Sequence, residues 1–338
     1  MKVLEAVQTN GISDAVRAKF AMAVPVIEAT LYSLSKDRAL RFGGYNKVTL
    51  TDLSREFREG NGDAGICFEL AVHKAIERRD SILHPLISEV LEELCGIPEG
   101  ADSILFGPEK NSVIPILESV KDALTDESRV WVGNRGQPPK LKRYIPQIIN
   151  AFRRSEIRNQ LPRTISGLWK ADLFLGGKGP DRWLGTTVKI NPEHLVGAQG
   201  LRLGIYPKKN DKDEPRKDDQ LNLVRIPLPY DSAFMEMFYK AFNLTRAFLK
   251  ADAYIPPPVN LPDAEDRFIT KELEARRDFP VMDVLGVLRD MAQTDLIKPA
   301  EVSDIQPAAS LTEEGLRPTP SPEDISEMVS LSPVSLAT

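Results

Sequence analysis

Apolar residues recur every three or four positions in two early segments of the chain, which is the pattern of amphipathic helices. The first segment spans residues 13–35, with Ser13 or Asp14 as a helix N-cap, and the second spans residues 64–79, with Asp63 in the same role. Glu69 borders the apolar stripe of the second segment. Its carboxylate either faces solvent at the edge of that stripe or points into a polar pocket beside a sheet.

The pattern changes between residues 168 and 190. Two β-rich runs, 168–175 and 183–190, flank a segment of Gly, Lys, Pro and Asp, which predicts two antiparallel strands joined by a turn. The Gly-rich segment lacks the Gly-Lys-Ser/Thr order of a phosphate-binding loop, so a hairpin turn is the better interpretation. Because side chains alternate along a strand, Lys170, Asp172 and Phe174 are expected on one face of the first run. Thr187 and Lys189 share one face of the second.

The remaining pattern predicts an α/β (α+β) protein with a central mixed sheet flanked by helices. Further helices are expected at residues 85–95, 113–125, 144–159, 232–250, 270–276 and 281–294, and further strands near residue 130 and at 201–206 and 221–228. Four regions follow from this pattern: a helical region at 1–60, a core at 61–255 with a helical insertion at about 81–160, C-terminal helices at 256–295, and a disordered acidic tail at 296–338.

The composition is that of an ordinary globular protein, with 28% charged and 42% hydrophobic residues. No run reaches the roughly 18 to 20 apolar residues that a membrane helix needs, and no secretory signal is visible. Two cysteines, Cys67 and Cys95, make neither a disulfide framework nor a metal-ligand spacing. These features predict a cytoplasmic protein without a membrane partner.

The net charge of −5 is unevenly distributed along the chain. Residues 296–338 carry seven acids and two bases, so an acidic tail that recruits a protein partner is one expectation. Residues 135–170 carry nine bases against one acid, which suits the phosphate backbone of DNA; the alternative is a solvated helix face with its loops. The candidate DNA contacts are Arg135, Lys140, Lys142, Arg143, Arg153, Arg154, Arg158 and Lys170.

The segments Lys170-Ala-Asp172 and Thr187-Val-Lys189, preceded by a helix with Glu69, resemble the site of the PD-(D/E)xK restriction-endonuclease-like superfamily. In that family an Asp early in one strand is followed by an acid-x-Lys in the next, often with a Glu from the preceding helix. Here Thr187 stands in place of the second acid, as in a variant that has a Gln downstream, and Gln199 fits that variant. The resemblance covers residues 63–250.

The resemblance implies a restriction-endonuclease-like core and a site that uses Mg²⁺ or Mn²⁺. Asp172 and Glu69, with the carbonyl of Val188, would hold the metal, and Gln199 would complete the catalytic set. Lys189 would orient or deprotonate the attacking water, or stabilise the transition state. Hard cations of this kind take carboxylate and carbonyl oxygens, so the residue types suit the metal.

The sequence therefore predicts a metal-dependent DNA endonuclease, in the setting of restriction or phage defence. The loss of an acid at Thr187 keeps a second class open, a non-catalytic DNA-binding or assembly subunit on the same fold. A homodimer would present two such sites to the two strands of DNA, but no interface is identifiable from the sequence.

Overall fold

The computed structural model describes residues 12–58, 63–107, 124–130, 140–162, 165–197, 201–254, 261 and 263–296. The chain divides into two compact units. The first, here called the helical unit, combines Met1–Gly62 with Ser232–Thr338, and the second, here called the sheet unit, is Asp63–Asp231.

The described part of the helical unit consists of helices from both ends of the chain. Three of these helices precede the sheet unit in sequence: α1 (Asp14–Ser33), α2 (Lys36–Arg41) and α3 (Leu50–Glu56). Long apolar stripes on these helices and on the later ones meet in one core that includes Phe20, Ile27, Leu249 and Leu285. Ser13 caps α1 as predicted, and Pro25 is accommodated inside the helix.

The sheet unit begins with two helices, α4 (Ala64–Glu77) and α5 (Leu83–Cys95), which are followed by strand β1 (Asp102–Leu105) and the short strand β2 (Arg129–Val130). Helices α6 (Leu141–Arg153) and α7 (Ser155–Arg158) and a 3-10 turn at Leu168–Lys170 come next. The remaining strands are β3 (Leu173–Gly177), β4 (Arg182–Val188), β5 (Arg202–Pro207), β6 (Arg216–Asp218) and β7 (Leu223–Leu228).

These seven strands form one mixed sheet in the order β1-β3-β4-β5-β7-β6, with β2 parallel to the start of β4. The β1–β3, β3–β4 and β6–β7 pairs are antiparallel, whereas β4–β5 and β5–β7 are parallel. Helix α4 packs on β1 and β4, and α5 packs on β7. The predicted mixed α/β class with a sheet flanked by helices is therefore confirmed.

The predicted hairpin is present, with Leu175 opposite Leu184 and the turn at residues 178–181. Asp181, in the left-handed region at φ 50°, fixes this turn. Its carboxylate accepts hydrogen bonds from the hydroxyls of Thr125 and Ser128, at 2.6 Å each, and from the Trp183 indole at 3.2 Å. Burial raises the pKa of Asp181, but the three donors outweigh it and hold that pKa below its usual value.

Two features add to the expected regions. Besides the strand expected near residue 130, which is β2, the insertion at 81–160 contributes β1 to the sheet, and β1 was not predicted. Helix α8 (Ser232–Lys250), expected in the core at 61–255, groups with the helical unit, because Phe248 and Leu249 pack in the same core as α1 and α3.

The last two helices in the described part of the helical unit are α9 (Ala264–Ala275) and α10 (Val281–Met291). Two ion pairs with buried members join these helices to α1: Lys19 Nζ lies 2.9 Å from Asp266 Oδ1, and Arg289 Nη2 lies 2.8 Å from Glu28 Oε2. The expected helix at 113–125 and the tail at 296–338 lie almost entirely outside the described residues. In the described part of the chain, no helix has both the length and the apolar character required to cross a membrane.

Candidate active site

Three charged side chains from three separate segments of the sheet unit meet beside the β3–β4 hairpin. Lys189 Nζ lies 3.0 Å from Asp172 Oδ2 and 3.4 Å from Glu69 Oε1. The Asp172 and Glu69 side chains are only 10% and 13% exposed, and that of Lys189 is 30% exposed. Glu69 therefore takes the second of the two orientations considered for it, toward the sheet.

Asp172 is held at the entrance to β3 by its own backbone as well as by its side chain. Its N–H donates to the Thr186 carbonyl at 2.8 Å, and its carbonyl accepts from the N–H groups of Phe106 and Gly107 at 2.9 and 2.8 Å. Its Oδ2 also accepts the Val188 N–H at 3.1 Å. These bonds fix the carboxylate between β1 and β4.

Val188 contributes through its main chain. The N–H and C=O of one residue in an extended strand point to the same side. Because the Val188 N–H donates to Asp172, its carbonyl is directed to that same side of β4.

Glu69 reaches the site from α4, whose start is fixed by the Asp63 carboxylate accepting the Ile66 N–H at 2.9 Å. Gly107 leaves room for it: a Cβ at that position would stand 3.3 Å from Glu69 Oε2. Sequence reasoning did not identify Gly107, since a lone Gly after an unpredicted strand gives no signal.

The carboxylates govern the charge of Lys189. Burial would lower the pKa of its ammonium group, but the attraction of Asp172 and Glu69 outweighs burial and raises that pKa. Lys189 is therefore a cation at neutral pH.

Arg202, on β5, is a fourth charged residue at this site, and it was not predicted. It is 3% exposed; its Nη1 lies 3.4 Å from Thr187 Oγ1, and its Nη2 donates to the Gly167 carbonyl. Burial lowers the pKa of the guanidinium, while the Asp172 carboxylate acts in the opposite direction. An Arg inside an otherwise apolar strand was the available signal, because a buried cation requires partners.

The predicted position of Lys170 is wrong. Lys170 lies in the 3-10 turn Leu168–Lys170 and not on a strand face with Asp172, because β3 begins only at Leu173. Its Nζ lies 5.4 Å from the centre of the Trp169 ring, and the Arg158 guanidinium lies 4.1 Å from the centre of the same ring. Helix α6 packs against this same turn, two residues before Asp172.

The other candidate DNA contacts differ in their exposure and in whether they pair with an acidic residue. Lys140 pairs with Glu127, and Lys142 lies 3.2 Å from Asp126, so both are partly neutralised. Arg143 and Arg154 are exposed. Gln199 and Arg135 lie outside the described residues, as does the side chain of Arg153.

Comparisons of the chain with protein-family models, with curated proteins and with solved structures found no match.

Proposed function

We propose that the protein is a metal-dependent DNA endonuclease of the PD-(D/E)xK type, with a restriction-endonuclease-like core in its sheet unit. The observation that carries the proposal is the convergence of Glu69, Asp172 and Lys189 from three separate segments: the Lys189 ammonium lies 3.0 Å from Asp172 Oδ2 and 3.4 Å from Glu69 Oε1. A role in restriction or phage defence is the setting that the resemblance suggests.

The residues of the site suit a divalent cation that takes only a few of its ligands from the protein. Among the described residues no group of three or more His, Cys, Asp or Glu could hold a metal ion. Mg²⁺ is nevertheless often held by one or two carboxylates together with water and substrate phosphates. Asp172 and Glu69, with the Val188 carbonyl, meet that smaller requirement, and the same oxygens suit Mn²⁺.

When bound, such a cation lowers the pKa of a coordinated water and neutralises phosphate charge. Lys189 would place a positive charge where the phosphate becomes more negative in the transition state. Its raised pKa favours this electrostatic role over that of a proton acceptor.

DNA would be held by the basic residues nearest to this site. Lys170 precedes Asp172 by two residues, and the exposed Arg143 and Arg154 lie on and just after α6, which packs on the turn that carries Lys170. The Trp169 ring, which both Arg158 and Lys170 approach, adds an aromatic surface of the kind that contacts bases or sugars.

Plasmid cleavage tests the proposal. The full chain is incubated with supercoiled plasmid in Mg²⁺ and, separately, in Mn²⁺, and Lys189→Ala is compared with Lys208→Ala. Lys208 is a matched control, because its side chain is 27% exposed and its partner Asp211 is 96% exposed. We expect a loss of about 10²-fold or more in Lys189→Ala alone. Equal cleavage by Lys189→Ala and the wild type would refute the proposal.

A second function, a DNA-binding or assembly subunit without catalysis, is favoured by one observation. Thr187 stands where the family has an acid, and its hydroxyl is engaged by Arg202. This alternative expects salt-dependent DNA binding that Asp172→Asn leaves unchanged, and no heat of Mg²⁺ binding in calorimetry. Metal-dependent cleavage would exclude it.

A further inference from the structure

Arg202 places a fixed positive charge in the wall of the candidate site. The residue is 3% exposed, its guanidinium reaches the Thr187 hydroxyl and the Gly167 carbonyl, and it interacts electrostatically with Asp172. A guanidinium does not lose its proton at any pH at which the protein is folded, so this charge is permanent.

Among the residues that the structure describes, the charges of the four side chains named at this site sum to zero. Asp172 and Glu69 are the two anions, and Lys189 and Arg202 are the two cations. An acid at position 187 in place of Thr, without Arg202, would give a net charge of −2 instead. Attraction for a divalent cation depends directly on that charge, so a neutral site binds it weakly.

We infer that Arg202 sets the metal affinity of the site, so that a divalent cation binds firmly only together with a phosphate group of the nucleic acid. The inference rests on the proposed function. A phosphodiester contributes the negative charge that the site lacks, and its oxygens supply ligands that the protein does not. Arg202 is in this sense a positioning residue, acting through Asp172 and Thr187.

Coupling of this kind is reciprocal: if DNA strengthens metal binding by some factor, the metal strengthens DNA binding by the same factor. The coupling is a property of binding at equilibrium. It can therefore be measured without any turnover.

The test measures Mn²⁺ binding to the full chain by electron paramagnetic resonance, which detects free Mn²⁺. Wild type, Arg202→Gln, Arg202→Lys and Arg216→Gln are compared in the absence of DNA. Arg216→Gln is the matched control, because it removes the same charge from a 57%-exposed side chain on β6, two strands from β5. We expect Arg202→Gln to bind Mn²⁺ about tenfold or more tightly than the wild type. Arg202→Lys and Arg216→Gln should bind it as weakly as the wild type.

An Arg202→Gln affinity equal to that of the wild type, or no detectable binding by either, would overturn the inference. Should circular dichroism show that Arg202→Gln is unfolded, the wild type decides the question alone. Its Mn²⁺ affinity should rise about tenfold or more on addition of a short duplex with phosphorothioate linkages, after subtraction of Mn²⁺ bound by the duplex itself. An affinity unchanged by the duplex would overturn the inference.

Failure of the proposed function has a different signature. Cleavage of plasmid by Lys189→Ala at the wild-type rate removes the nuclease assignment whatever the Mn²⁺ affinities are. A nuclease whose Mn²⁺ affinity does not respond to Arg202 removes only the role of Arg202.

Discussion

Replacing Lys189 with Met removes the ammonium group and leaves the Asp172 and Glu69 carboxylates facing each other in a largely buried position. At 3.0 and 3.4 Å, with an effective dielectric constant near 20, each attraction is about 5 kcal/mol before desolvation is subtracted. Breaking a buried pair by removing one member typically costs 3–5 kcal/mol. Because the Lys189 side chain is 30% exposed, water replaces part of the lost attraction. We therefore expect Lys189→Met to lower the free energy of unfolding by about 2–3 kcal/mol.

Tryptophan fluorescence during urea unfolding measures this loss of unfolding free energy in the sheet unit. All three Trp residues of the chain lie between residues 63 and 231, so their emission follows the sheet unit. Lys208→Met is the control: Lys208 is as buried as Lys189, but its partner Asp211 is 96% exposed, so a change of at most about 0.5 kcal/mol is expected.

The pH dependence has a definite sign. Since the folded-state pKa of Lys189 is raised, its contribution is complete below the ordinary lysine pKa of about 10.4 and is lost as pH rises through the higher folded value. The difference in unfolding free energy between the wild type and Lys189→Met should therefore be constant below about pH 10 and shrink above it. A loss in Lys189→Met no larger than in Lys208→Met, or a difference that grows as pH rises above about 10.4, would refute the reasoning.

Two further predictions concern groups away from the site. Asp181→Asn should lower the unfolding free energy of the sheet unit by about 1–2 kcal/mol in urea at pH 7, because the carboxylate accepts three side-chain hydrogen bonds. Since the folded-state pKa of Asp181 is lowered, its contribution is present above the ordinary Asp pKa of about 3.9 and is lost as pH falls through the folded value; a difference that grew as pH fell below about 3.9 would contradict this. Burial raises the pKa of the Cys95 thiol to about 11, and Cys67 is also buried. The native protein should therefore react with Ellman's reagent at pH 8 far more slowly than the denatured chain, which exposes both thiols, and rapid reaction of either native thiol would be the contrary result.

Local patterns in the sequence predicted the elements that carry the site. The Asp63 cap and the apolar stripe predicted α4, and the turn residues at 176–181 predicted the β3–β4 hairpin. The alternation of apolar residues predicted β5 and β7. Asp172, Lys189 and Glu69 were predicted together because the resemblance supplied a spatial relation that spacing alone does not contain.

What escaped prediction depends on long-range pairing. Strand β1 has only four residues and no alternation, and its existence depends on β3 presenting a free edge. In the sequence, Arg202 is a single polar residue in an apolar segment. Its partners Thr187 and Gly167 lie 15 and 35 residues earlier, and only the folded sheet places them beside it. Lys170 was misplaced because the 3-10 turn before β3 has the same β-rich composition as the strand it precedes.

The discontinuous make-up of the helical unit has a consequence for synthesis of the chain. Helix α1 ends at Ser33, but its packing partner α10 is not complete until Met291 has been added. At ribosomal rates of about 5–20 residues per second, the apolar side of α1 lacks this packing partner for tens of seconds, during which the whole sheet unit is synthesised. The nascent chain is thus expected to order from its middle outward, and the first helix to be made should be among the last to be buried.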